Sequence, residues 1–171
     1  CQFVGITTGV TPNIDFLKDS KIEYEKGILV NDQFETSLKD IYAIGDCAQL
    51  RSPKSGRKSI EAVWYTGRMM GEVAAHNICG NPVEYDPGIW FNSAKFFDIE
   101  YQVYGTVPVI ESDVLQSIFW SDASANKSIR IVYETLTQVV VGFNLMGIRY
   151  RHEVCEKWIR EQTTLEEVLK N

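Results

Sequence analysis

Asp46 is the residue whose neighbours best equip it for chemistry. It follows the apolar run Ile41-Tyr42-Ala43-Ile44 and Gly45, and precedes Cys47 and Ala48. The run is predicted to be a short strand stopped by Gly45. A strand ending in Gly-Asp lets backbone approach a polar ligand, because glycine has no Cβ to hold the ligand off. The aspartate then offers an acceptor-only carboxylate to hydroxyl groups. Cys47 admits a redox reading and a packing reading. A reactive thiol needs a lowered pKa and a resolving partner, and the four cysteines (Cys1, Cys47, Cys79, Cys155) form no Cys-x-x-Cys pair. Packing as a small buried residue is the expectation for Cys47. Scattered cysteines point to a reducing, cytoplasmic setting rather than a disulfide scaffold. His76 and His152 show no metal-ligand spacing, so no metal site is expected.

The elements that must position Asp46 surround it in sequence. Residues 51–58 form a loop whose Lys54, Arg57 and Lys58 read as a solvated basic turn. A helix is predicted over 60–79, capped by Ser59 and stopped by Gly80. Val63, Gly67, Met70, Gly71, Ala74 and Ile78 recur at three- and four-residue steps and predict its buried stripe. Two glycines on that stripe cost helix propensity, and close approach to a sheet would compensate. Residues 81–88, with two prolines and a glycine, read as a linker.

Beyond the linker the pattern changes. Residues 90–104 suggest one long or bent strand region. Residues 117–120 and 129–133 flank a turn at 122–127, and Val139 to Met146 alternate as a further strand. A helix is predicted over 150–162, and Thr164-Leu165-Glu166-Glu167 is a capping box opening a last short helix. Strands followed by helices indicate an α+β unit, an antiparallel sheet with helices on one face.

The 171 residues, 44% of them hydrophobic, can bury one core or two small ones. The net charge of −6 argues against nucleic-acid binding, which wants basic patches. No apolar run approaches the ~18 residues of a membrane span. No repeat, low-complexity tract or secretory signal is visible.

The string from Glu35-Thr36-Ser37 to Ile44-Gly45-Asp46, at its distance from Gly9-x-x-Pro12-Asn13, resembles the second flavin motif of the FAD-dependent pyridine-nucleotide oxidoreductases. That family usually has Ala-Thr-Gly where Thr7-Thr8-Gly9 stands. The resemblance implies a strand and turn over residues 3–13, in which Gly9 and Pro12 mark the chain's re-entry into the FAD domain, and a second short strand over residues 27–31. It implies that Asp46 holds a ribityl hydroxyl of FAD and that the Gly45, Cys47 and Ala48 backbone flanks the pyrophosphate. The start of the following helix, Glu61, Ala62, Val63 and Trp64, would then face the flavin ring. There, its N–H groups and positive dipole end favour negative charge on the ring's N1–C2=O edge. Trp64-Tyr65 reads equally as core packing.

In this family the ADP end of FAD rests on a Gly-x-Gly-x-x-Gly turn that opens a helix. None of the 12 glycines makes such a turn, Gly67-x-x-x-Gly71 being the nearest pattern. With Cys1 falling inside an expected strand, the resemblance implies a C-terminal fragment. Residues 1–86 would be an α/β remnant of the FAD-binding domain, and residues 87–171 the α+β C-terminal interface domain. Ser93 to Asp98 and Tyr104-Gly105 resemble pieces near the start of that domain. Lack of a His-Pro-Thr segment and of a cysteine pair places the chain nearer the ferredoxin and rubredoxin reductase and NADH oxidase branches. The function implied for the parent is electron transfer from NAD(P)H through FAD to an acceptor, small redox proteins being one class. A homodimer is implied too, and a fragment inactive alone, with no residue of it assigned as acid, base or nucleophile. The competing reading is a ligand-free dimerisation or interaction domain that keeps only a remnant flavin motif.

Overall fold

A computed structural model describes residues 2–54, 57–124 and 126–171. It comprises two compact units, divided between Pro87 and Gly88, each with its own apolar core.

In the first unit β1 (Ile28–Val30) and β2 (Ala48–Leu50) pair in parallel, Ile28 opposite Ala48 and Val30 opposite Leu50. Every residue of β2 is buried, the unbroken burial that parallel strands show. Gln49 is the polar exception, and both ends of its amide are hydrogen-bonded. Oε1 accepts from the Lys26 and Gly27 N–H groups, and Nε2 donates to Glu25. Helix α1 (Trp64–Ile78) sets Met70 and Ala74 into a core with Leu17, Val30, Phe34, Ala43, Ala48, Leu50 and Tyr85. Its C-terminus closes as a Schellman motif. Gly80, at φ +78°, donates to Asn77 O and Asn81 donates to His76 O, at 3.1 and 2.9 Å.

Several expectations for this unit are corrected. Ile41 to Ile44 is extended but makes only one bridge, Tyr42 with Glu35; the strand β2 comes after the Gly-Asp turn, not before it. Residues 3–13 carry no strand and are largely exposed. α1 begins at Trp64, not residue 60, and its N-cap is Val63, not Ser59. The Ser59 carbonyl instead accepts the Leu50 N–H at 2.9 Å, which keeps the chain extended beside β2. The buried stripe runs through Thr66, Met70 and Ala74, and Ile78 is 63% exposed. Gly67 and Gly71 face the 44–45 turn rather than a sheet. A methyl on either would lie in ordinary contact, 3.7 Å from Gly45 Cα and 3.8 Å from Ile44 Cδ1. The basic loop is not merely solvated: Arg57 is mostly buried. Its neighbours Ser55 and Gly56 lie outside the described residues.

The second unit is a five-stranded antiparallel sheet, β3 (Phe91–Phe96), β4 (Ile99–Gly105), β5 (Leu115–Ser121), β6 (Ser128–Glu134) and β7 (Val140–Met146). The spatial order is β3-β4-β7-β6-β5. The expected single strand over 90–104 is therefore a hairpin turning at Phe97-Asp98. Register builds an apolar row across all five strands: Phe91, Tyr104, Phe143, Ile131 and Ile118 lie opposite one another in turn. Helix α2 (His152–Arg160), shorter than expected at both ends, packs Cys155, Trp158 and Ile159 onto this row's face. Helix α3 (Leu165–Leu169) adds Val168 and Leu165 to the same cluster. Its capping box is complete: Thr164 accepts from the Glu167 N–H while Glu167 reaches back to the Thr164 N–H. On the opposite face Arg130 of β6 donates to the Pro108 carbonyl and to Ser117 Oγ. Among the described residues no helix is long and apolar enough to cross a membrane.

Candidate functional site

Gly45-Asp46-Cys47 forms a single 3-10 turn between the extended segment and β2, closed by the Ala48 N–H on Gly45 O. Gly45 has φ +77°, a conformation that side chains resist, and a Cβ built there would meet nothing within 4 Å. The turn therefore presents bare backbone to open space. Asp46 is exposed, and no described residue gives its carboxylate a hydrogen bond or an ion-pair partner. Cys47 is half-buried, not buried, and its thiol leans on the Ile44 carbonyl at 3.6 Å. Ala48 is fully buried, with its N–H used inside the turn, so it supports the turn by packing.

Helix α1 packs against this turn, and the Gly45 N–H donates to Met70 Sδ at 3.3 Å. No side chain caps the helix start. Ala62 and Trp64 are exposed, Trp64 at 69%, and Val63 is half-buried. Trp64 sits edge-on to Tyr65 with 5.2 Å between ring centres, so it is not a core residue. The structure thus puts the Gly45–Cys47 turn against α1 and leaves the carboxylate of Asp46 and the start of α1 accessible. Gly9, at φ +108°, and half-buried Pro12 lie on the irregular segment before Ile14.

Sequence reasoning placed Arg57 in a solvated turn and Glu61 at the flavin-facing helix start, and did not pair them. Arg57 Nε donates to Glu61 Oε1 at 2.7 Å and Nη2 to Oε2 at 2.5 Å, a two-pronged pair. Their side chains are only 10% and 7% exposed. Glu61 Oε2 also accepts from Thr66 Oγ1 at 3.4 Å, and the Glu61 carbonyl accepts from the Val63 N–H at 2.9 Å. Beside the pair, Tyr85 is buried and packs edge-on against Phe34. Burial pushes its phenol up to about 12. The four-residue spacing of Arg57 and Glu61 was the available signal, but it reads as an ordinary surface pair. His76 and His152 stay apart from one another's units, and no three His, Cys, Asp or Glu among the described residues could hold a metal.

The arrangement suits a polar, hydroxyl-bearing ligand lying over the turn with an anionic edge toward α1. Comparison with known proteins bears on it directly. The sequence pattern of the family described as pyridine nucleotide-disulphide oxidoreductase matches residues 1–71. The NADH-rubredoxin oxidoreductase of Clostridium acetobutylicum is 47% identical over 77 residues, 45% of this chain and 19% of that protein. The crystal structure of NADH:rubredoxin oxidoreductase from the same organism superposes with a TM-score of 0.62 at 28% identity, over 95% of this chain and 42% of that one. The NAD-dependent persulfide reductase of A. fulgidus shares the fold, with a TM-score of 0.74 at 20% identity over 96% of this chain and 33% of that one. The chain thus spans about a fifth of its curated relative and less than half of either solved chain. The 1–71 match takes in β1, the Gly-Asp turn, β2 and the first half of α1, and over that part the chain is similar to the pyridine nucleotide-disulphide oxidoreductase family.

Proposed function

We propose that this chain supplies the ribityl and flavin side of an FAD site in an oxidoreductase that passes electrons from NAD(P)H to an acceptor. The observation that carries the reading is the Gly45 turn: bare left-handed backbone facing open space, with beside it the Asp46 carboxylate, which has no partner among the described residues. Bound FAD would supply the hydride and electron chemistry. Asp46 would accept from a ribityl hydroxyl, Gly45 would let the cofactor's polar chain lie against backbone, and α1 would direct its positive end at negative charge. Gly9 and Pro12 would turn the chain toward the same site. The name of the Clostridium relative supports a small redox protein, of the rubredoxin kind, as acceptor. Residues 1–87 would then be the FAD-domain part and residues 88–171 an interface domain.

The test is a flavin titration of the whole protein. Asp46→Ala removes a charge-assisted hydrogen bond and is expected to weaken FAD binding about ten- to hundredfold, for roughly 1.5–3 kcal/mol. Asp46→Asn keeps an acceptor and should cost less. Unchanged affinity in Asp46→Ala would refute the site. The 171-residue chain alone is expected to bind FAD weakly and to be inactive, because one anchor of a two-anchor ligand is left to act singly.

A second reading, self-association, is favoured by exposed Phe3, Val4, Ile6 and Val10 and by exposed Phe97, Val109 and Leu136. Apolar surface of this kind marks interaction sites. Light scattering at roughly tens of micromolar should give a dimeric mass, and a monomeric mass would refute that reading.

A further inference from the structure

We infer that the buried Arg57–Glu61 pair is a positioning device for the flavin, whose two charges act on the cofactor in opposite directions. The inference rests on the reading of α1's start as the flavin-facing end.

The pair stands beside the start of α1. No side chain among the described residues caps α1, yet Glu61 holds its N-cap through its carbonyl, which accepts from the Val63 N–H, and its first turn through its carboxylate, which accepts from the Thr66 hydroxyl. Arg57 holds that carboxylate with two donors. Both side chains are largely removed from water, so their fields are poorly screened. A buried ion pair adds little stability over apolar residues of equal size, which makes fold stabilisation alone a weak reason for one here. Together the charges nearly cancel and leave α1's positive end undisturbed. Apart they do not. Without the carboxylate, the guanidinium adds positive charge beside the helix start. Without the guanidinium, the carboxylate opposes the dipole.

The sign follows. Two-electron reduction adds two electrons and one proton to FAD and leaves the reduced flavin anionic. A more positive helix start favours that form, and a more negative one disfavours it. The measurement is a potentiometric titration of the FAD-loaded whole protein as wild type, Glu61→Gln, Arg57→Gln and the double variant. Glu61→Gln should favour reduced over oxidised flavin by about tenfold, a rise of about 30 mV for a two-electron couple. Arg57→Gln should shift the ratio about as far the other way, and the double variant should return to within about threefold of wild type.

Shifts of the same sign in both single variants, or none beyond about threefold in either, would overturn the inference. A single variant that sheds FAD is read by FAD affinity of the apoprotein: recovery in the double variant supports the pair, and loss in all three overturns it. Apoprotein melting separates the alternative, because a pair that only staples the fold lowers Tm in both single variants without moving the potential. If the wild-type whole protein takes up no FAD, the site reading itself falls, and this is seen before any variant is made.

Discussion

Deleting one oxygen atom from the core of the second unit is expected to stabilise it. Tyr104 is fully buried, second in the five-strand row, between Phe91 and Phe143. Its ring stacks on Phe91 with 4.9 Å between centres and lies 5.4 Å from the His152 ring. Its hydroxyl has no hydrogen-bond partner among the described residues, and burial pushes the phenol's pKa far above the ordinary range. A buried hydroxyl without a partner costs about 1–3 kcal/mol. Tyr104→Phe keeps the ring and its contacts, so it should raise the unfolding free energy by about 1–2 kcal/mol and Tm by about 4–8 °C per kcal/mol. Tyr104→Ala, which removes the ring as well, should cost about 3–5 kcal/mol. Urea titration followed by tryptophan fluorescence reads both, since Trp158 packs 5.7 Å from Phe143 in the same core. The slope with urea should stay constant and the midpoint should rise. A loss of stability of about 1 kcal/mol or more in Tyr104→Phe would show that the hydroxyl is bonded in solution, and would refute the reasoning.

Gly105→Ala should destabilise the same unit by at least about 1–3 kcal/mol in chemical denaturation. Gly105 sits at φ +64°, and a Cβ there would stand 2.2 Å from the Val141 carbonyl oxygen. The α3 capping box should make stability depend on pH. Hydrogen bonds from the Thr164 N–H and hydroxyl hold Glu167's pKa below its usual value, so its contribution is present above about pH 4.3 and lost as pH falls through the depressed pKa. Thr164→Ala removes the hydroxyl and keeps the N–H, so it should flatten that part of the stability profile in part, and an unchanged profile would count against the box. Limited proteolysis should cut within residues 81–88 and leave residues 88–171 protected; cleavage scattered through β6 and β7 would deny that they fold as a unit.

The parts of the fold legible in sequence are those whose signals are local. Gly80 marked the end of α1 because a left-handed residue after a helix favours glycine, and Thr164 with Glu167 marked α3 because the box is written within four residues. β1 was read from the family resemblance and β7 from its alternation. Other features depend on partners distant in sequence. Ser59 has the composition of a cap, but its carbonyl is taken by Leu50 and the helix waits for Val63. The Phe97-Asp98 turn went unseen because Phe97 adopts φ +52° where such turns favour glycine. At the candidate site, Gly45 and Asp46 were legible from type and order. The Arg57–Glu61 pair was not, because its burial comes from the fold around it, Tyr85 and Thr66 included, and a charged loop shows none of this in sequence.

The strand order of the second sheet bears on how it is reached. β3 with β4, β5 with β6, and β6 with β7 are neighbours in sequence as well as in space, joined by short connections. Only β4 with β7 joins strands far apart along the chain, and that contact brings Tyr104 to Phe143. Hairpins close in microseconds, whereas a long loop must lose its entropy before its ends reward it. Folding should therefore proceed as two preformed pieces, the β3–β4 hairpin and the β5–β6–β7 meander, whose docking along Tyr104 and Phe143 sets the rate. Substitutions at that seam should slow folding, while those at the outer strands should chiefly speed unfolding.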